Sequence, residues 1–184
     1  MRRAISSSLT IGSNCIVNSA KASNLAGMNR SCYICTLRKG AVLQIGDNCG
    51  FSATAIGAAK SIIIGDNVLC GVNTSITDTD WHSIPVHLRR DPSHVRSEPV
   101  VIEDNVWLSM HVTVLKGVHI GAGTIVAAGS VVSRDLPAGV IAGGIPARVL
   151  RLLTPEEVNS PSTLSELHSI QAMDRLESIP VSTE

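Results

Sequence analysis

Aromatic side chains are almost missing from this sequence: Trp81, Trp107, Tyr33 and Phe51 are the only ones in 184 residues. Rings usually supply the bulk of a wide core, each burying roughly 150–250 Å². With 44% apolar residues and so few rings, the interior must be built from small and branched aliphatics, which suits a narrow core. Charge of either sign is not in excess either. Fifteen basic and fifteen acidic residues cancel, which leaves no basic field for nucleic acid and no acidic one for a cationic partner. No apolar run approaches the ~20 residues that span a bilayer. The opening Met1-Arg2-Arg3 has the charge of a signal n-region, but Ser6, Ser7, Ser8 and Thr10 follow where an apolar segment would be needed. These absences point to a cytoplasmic protein with no membrane span. Five cysteines are an odd number, which argues against a disulfide framework. Cys32-Tyr-Ile-Cys35 has redox-motif spacing, but no helix signal follows it, so these are read as core thiols.

What the chain does have is a repeat. An aliphatic followed by Gly or an acidic residue, often with Asn two further on, recurs at Ile11-Gly-Ser-Asn14, Ile45-Gly-Asp-Asn48, Ile64-Gly-Asp-Asn67, Ile102-Glu-Asp-Asn105 and Ile120-Gly-Ala-Gly123. From Ile102 aliphatics return every six residues, at Leu108, Val114, Ile120, Val126 and Val132. A helix would need apolar residues three and four apart. Six-residue units fit a triangular coil whose sides are short strands, stacked about 4.8 Å apart. The aliphatic points into the prism, Ala127, Ala128, Ser130 and Val112 fill around it, and Gly and Asn turn the corners because they tolerate positive φ. The expected fold is all-β, a parallel β-helix. Period does not set its hand, and parallel crossovers in general are right-handed in about 98% of cases.

The coils break once. Ile64 plus one coil reaches position 82, yet the next repeat starts at Ile102. Residues 82–101 are therefore expected to leave the prism as a protruding loop, and long loops on regular scaffolds carry function. Residues 1–153 form one expected domain and 154–184 a short C-terminal helical extension. In the extension Thr154-Pro-Glu-Glu157 reads as an N-cap, a first-turn Pro and a capping-box Glu. A second box is Thr163-Leu-Ser-Glu166, with an apolar stripe at Leu164, Leu167, Ile170 and Met173.

Asp78-Thr-Asp-Trp-His82, the loop, and then Asp104-Asn-Val-Trp-Leu108 resemble the hexapeptide-repeat acetyltransferases. The run from Ile120 to Pro137, ending in Ala142-Gly-Gly-Ile-Pro-Ala-Arg148, is similar to their closing coils. The resemblance covers about residues 42 to 151. It is nearest to the branch that acetylates sugars in colanic acid, capsule and O-antigen synthesis. It implies a left-handed β-helix, a homotrimer, and acetyl-CoA as co-substrate with no metal. It also implies transfer to a hydroxyl of a sugar or polysaccharide precursor.

The resemblance makes His82 the catalytic residue. The chemistry agrees: a hydroxyl must lose its proton as it attacks a thioester, and imidazole takes protons near neutral pH. Asp80, two residues earlier, either orients His82 or binds a sugar hydroxyl; Asp78 ranks below it. Cofactor contacts carried over from the family are Ser109, Met110, Ala127 and Ala128 along the pantetheine arm, with Ser133, Arg134, Arg148 and Arg151 near the nucleotide. Trp107 either lines the acetyl channel or packs a turn, and Ser52 falls near an acceptor contact. The chain departs from the family pattern at Ser83, commonly Pro, at Ser109, commonly Gly, and at Arg134, more often Lys.

Three other functions fit part of the pattern. His82 and His87 have the spacing of two zinc ligands in γ-class carbonic anhydrase, but all six histidines lie at 82 or later and no earlier ligand exists. A non-catalytic scaffold would leave the Asp-Thr-Asp-Trp-His segment without a purpose. An amine or xenobiotic acceptor would keep the mechanism and change the substrate.

Overall fold

The computed structural model describes residues 1–20, 23, 24 and 26–159. Two compact units divide the chain, Met1–Leu153 and Thr154–Glu184. The first is a parallel β-helix with three faces. The first face stacks Ser8–Ile11, Val42–Ile45, Ser61–Ile64, Val100–Ile102 and His119–Ile120. The second stacks Ile16–Asn18, Gly50–Ser52, Leu69–Cys70, Trp107–Leu108, Ile125–Val126 and Val140–Gly144. The third stacks Tyr33–Thr36, Ala55–Ala58, Ser75–Thr77, Thr113–Val114 and Val131–Val132. Ala147–Leu152 returns antiparallel on Val140–Gly144 and closes the second face.

The six-residue ladder is the core. Ile102, Leu108, Val114, Ile120, Val126 and Val132 are all 0% exposed, and their register stacks each above its counterpart in the next coil. Each such burial is worth about 1.5–3 kcal/mol. Among the described residues Phe51 is the only buried aromatic side chain, as a narrow interior requires.

The corners explain the repeat motif. At the corner between the first and second faces, Asp47 accepts the N–H of Ser13, Asp66 that of Asp47, and Asp104 that of Asp66, at 2.6–2.8 Å. A side chain on Gly46 would collide with the Asp66 carboxylate, so Gly precedes Asp wherever another Asp stands in the coil after it. Glu103 breaks that rule because the next coil offers Ala122 instead. Its carboxylate accepts from Ala122 N–H at 2.8 Å and meets His119 at 2.7 Å. These bonds, the backbone one first, hold its pKa below the ordinary value. Asn14, Asn48, Asn67 and Asn105 follow with φ of 56–59°, the left-handed region that Asn tolerates.

At the corner between the third and first faces, Asp78 is 0% exposed. Its carboxylate accepts the N–H groups of Ala59, Lys60 and Ser61, each at 2.7 Å. The excursion starts here. Residues 78–80 pair with 96–98 in a short antiparallel neck, through Glu98 N–H to Asp78 O at 2.9 Å, Asp80 N–H to Arg96 O at 3.1 Å and a Thr79–Ser97 bridge. The loop expected over 82–101 thus returns sooner, since Val100 and Val101 already pair with Ile62 and Ile63. The repeat count anchors on inward Ile102, whereas the strand begins two β-branched residues before it. Beyond the neck, two 3-10 turns, Val86–Leu88 and Pro92–His94, shape the tip.

The reading of Cys32 and Cys35 as core thiols holds for one of them. Cys32 packs against the core cluster. Cys35 alternates with inward Ile34 and Thr36 and so faces outward, where partial burial still raises its pKa. In the second unit, Thr154 and Glu157 exchange capping-box bonds at 2.8 and 3.3 Å ahead of the helix Pro155–Asn159. The box at Thr163–Glu166 and the stripe from Leu164 to Met173 lie outside the described residues.

Removing the Asp78 carboxylate strands three N–H groups at a buried corner, at about 1–3 kcal/mol each. Asp78→Ala is expected to destabilise the protein by at least ~3 kcal/mol in denaturant unfolding, and Asp78→Asn, which keeps one acceptor, by less. An Asp78→Ala midpoint equal to that of the parent would contradict this.

Candidate active site

The neck delivers a distorted turn. Trp81 has φ +65°, and His82 N–H bonds back to Asp80 O at 2.7 Å. A γ-turn with positive φ at a bulky residue is strained, and such strain collects at functional sites. Gly57 makes room for it: a Cβ there would lie 3.5 Å from the Trp81 ring and 3.3 Å from Leu37. The indole therefore rests on the third face while His82 projects from it, exposed.

His82 Nδ1 lies 3.2 Å from the carbonyl oxygen of Arg89, across the loop tip. A carbonyl only accepts, so Nδ1 donates and neutral His82 keeps its lone pair on Nε2. Asp80 was expected from the sequence either to orient His82 or to bind a sugar hydroxyl. Asp80 instead pairs with Lys116, Nζ to Oδ1 2.7 Å, both side chains about a quarter exposed (26% and 23%). Sequence reasoning missed Lys116 and the Arg89 carbonyl. Lys116 stands one coil, eighteen residues, past Glu98 on the returning side of the neck; a backbone carbonyl has no sequence signal. Asp78 is a structural clamp.

The remaining candidates divide between edges of the prism. Ser109, Met110, Ala127 and Ala128 share the corner between the second and third faces, with Leu108 and Val126 in register beside them. Gly143 continues this line and pairs with Arg148. The N–H groups of Met110 and Ala128 take no hydrogen-bond partner among the described residues. Small side chains, free backbone donors and a terminal Arg fit an extended, amide-bearing, phosphorylated arm. Ser133 and Arg134 lie at the other edge of the third face, the corner that also carries Asp80 and His82. Trp107, 47% exposed, stands on the second face in an outward column with Leu69, Ile125 and Ile141 that ends at Arg151. It is on neither edge with His82. Ser52 is 7% exposed, and its hydroxyl accepts from Asn18 at 3.2 Å and Asn24 at 3.0 Å. It ends a strand of the second face and is not brought to the His82 corner.

Burial pushes Cys49 up to about 11 and raises Cys70 further. Among the described residues no group of three or more His, Cys, Asp or Glu could hold a metal ion.

Comparison with known proteins agrees with this architecture. Models of the bacterial transferase hexapeptide (six repeats) and of the hexapeptide repeat of succinyl-transferase match residues 99–134 and 61–91. The solved structure of a hexapeptide-repeat-containing acetyltransferase from Vibrio cholerae is 30% identical, with TM-score 0.56, over 78% of this chain and 73% of that one. This chain belongs to the hexapeptide-repeat acetyltransferase family. A galactoside acetyltransferase solved in complex with coenzyme A is 29% identical, TM-score 0.63, over 80% and 66% of the two chains. Galactoside O-acetyltransferase of Escherichia coli K12 is 40% identical over 91 residues, 50% of this chain and 44% of that protein. A 2,3,4,5-tetrahydropyridine-2,6-dicarboxylate N-acetyltransferase of Clostridium perfringens is 41% identical over 69 residues, 38% and 29%. The chain spans about half the length of the curated relatives it matches. Among the described residues no helix is long and apolar enough to cross a membrane.

The His82 geometry makes a direct prediction. Nitrogen-15 spectroscopy of the neutral imidazole is expected to find the proton on Nδ1. A dominant Nε2–H form would contradict the Arg89 contact.

Proposed function

We propose that this protein is an acetyl-CoA-dependent O-acetyltransferase that moves an acetyl group to a hydroxyl of a sugar or polysaccharide precursor in the cytoplasm. The observation that carries the reading is His82, held outside the coil with Nδ1 donating to the Arg89 carbonyl and Nε2 free. The galactoside enzymes among its relatives support the choice of acceptor.

Bound acetyl-CoA supplies the activated thioester. His82 Nε2 takes the proton of the acceptor hydroxyl as its oxygen attacks the thioester carbonyl. The imidazolium then returns that proton to the leaving sulfur, so no proton is left over and no acyl-enzyme forms. Asp80 with Lys116 fixes the start of the loop, which makes Asp80 a positioning residue. Ser109, Met110, Ala127 and Ala128 flank the pantetheine arm. Arg134, Arg148 and Arg151 serve the phosphates with Ser133 beside them, and Trp107 borders the channel. Within one chain the His82 edge and the Ser109–Arg148 edge are different corners. A groove between neighbouring copies in a homotrimer would bring one of each together. The outward column of exposed Ile16, Leu69 and Trp107 with half-buried Ile125 and Ile141 supports such an association, since contiguous exposed apolar surface marks a contact. An acceptor amine is the second reading, favoured by the N-acetyltransferase relative.

His82→Ala is expected to lower kcat by about 10²–10⁴, the usual share of a general base, with acetyl-CoA affinity nearly intact. Cys70→Ala should cost little. Activity within about threefold of the parent in His82→Ala would reject the role. For the cofactor groove, light scattering should find a trimer. Arg134→Ala with Arg148→Ala should raise the KM for acetyl-CoA more than it lowers kcat, each lost contact being worth about 1.5–3 kcal/mol. A stable monomer, or unchanged coenzyme A binding in the double variant, would show the groove to be misassigned.

A further inference from the structure

A cavity of about 680 Å³ lies at the first coil, between the residues Met1–Ile5 and the strand Tyr33–Thr36 of the third face. Arg2, Arg3 and Lys39 line it, with Tyr33, Cys35 and Leu37, and no acidic residue does. None of the three cationic side chains makes a hydrogen bond or ion pair among the described residues. Three uncompensated cations in one concavity attract an anion. Arg in particular matches a carboxylate or phosphate through paired N–H groups. Tyr33 is 65% exposed and offers an apolar ring face beside them.

Register ties this cavity to the active site. Arg2 pairs with Cys35, and Cys35 with Gly57. Gly57 is the seat of the Trp81 ring, and Leu37, a cavity residue, touches the same spot. Two strand spacings, about 10 Å, therefore separate Arg2 from Gly57, on which the Trp81 ring rests, so the cavity borders the turn that carries His82.

We propose that this cavity is the acceptor subsite and that the acceptor is an anionic sugar, its carboxylate or phosphate held by Arg2, Arg3 and Lys39. The inference rests on the reading of His82 as the base for acetyl transfer, and it narrows the acceptor class that this reading leaves open.

The test uses the full chain and three acceptors built on one sugar: methyl galactoside, galacturonic acid and galactose 1-phosphate. The anionic acceptors are expected to exceed the neutral one in kcat/KM by about tenfold or more. The combined variant Arg2→Ala, Arg3→Ala, Lys39→Ala should reduce that preference by about tenfold to a hundredfold, the worth of one or two charge-assisted contacts. The KM for acetyl-CoA should not move, and Arg2→Lys with Arg3→Lys should retain most of the preference. Whichever anion leads identifies the charged group. A neutral acceptor that serves equally well, or a preference unchanged in the triple variant, would overturn the proposal. A rise in the KM for acetyl-CoA in step with the acceptor would also overturn it, because the cavity would then hold the cofactor's phosphates. If none of the three is acetylated, saturation-transfer NMR separates the two readings. Anionic sugar binding that the triple variant loses upholds the cavity while acetyl transfer to these sugars fails, and no binding in the parent overturns the cavity.

Discussion

Three backbone N–H groups at one buried corner converge on the carboxylate of Asp78. A stacked coil tolerates an insertion only if the strands on either side stay in register, because a slip of one residue would turn every side chain inside out. At this corner the chain leaves the prism for about twenty residues and returns. Asp78 ties the exit to the coil before it, and the paired neck of residues 78–80 and 96–98 ties the exit to the return. With that register held, Ile62 and Ile64 stack on Val100 and Ile102 as though nothing intervened. The loop is then free to hold a strained turn at Trp81 and an exposed imidazole at His82. Asp78, which holds the register, sits inside the coil, and His82, the proposed base, sits outside it.

The regular part of the fold was legible because each repeat letter has one physical job. The aliphatic fills the prism, Gly leaves space for a carboxylate, Asp caps the coil before it, and Asn accepts positive φ. Even the exceptions obey this logic, since Glu103 replaces Gly where Ala122 replaces Asp. The hand of the helix was not legible from period, because strand order and register are the same for either hand; the family supplies it. The start of the strand at Val100 was misjudged, since the count marks inward residues and says nothing of where pairing begins.

The site was legible in part. His82 stands out by its place at the loop exit and by resemblance, and the structure puts it on an exposed turn. What orients it was hidden. The Arg89 carbonyl meets Nδ1 only because two 3-10 turns fold the tip back, and the Asp80–Lys116 pair depends on coil spacing rather than on proximity in sequence. Asp80 and His82 share a side only in an extended strand, and the reversal at Trp81 removes that premise. Ser52 gives no such signal in sequence either: Asn18 and Asn24 donate to its hydroxyl within the chain.

In the proposed reaction a proton leaves a sugar hydroxyl as an acetyl group arrives. The most direct measurement is carbon-13 NMR of the protein incubated with carbonyl-labelled acetyl-CoA and a panel of hydroxyl- and amine-bearing sugars. The label is predicted to move in one step from the thioester to an ester on a sugar oxygen, with no labelled protein at any time. Label appearing in an amide, or first on a cysteine of the protein, would contradict it.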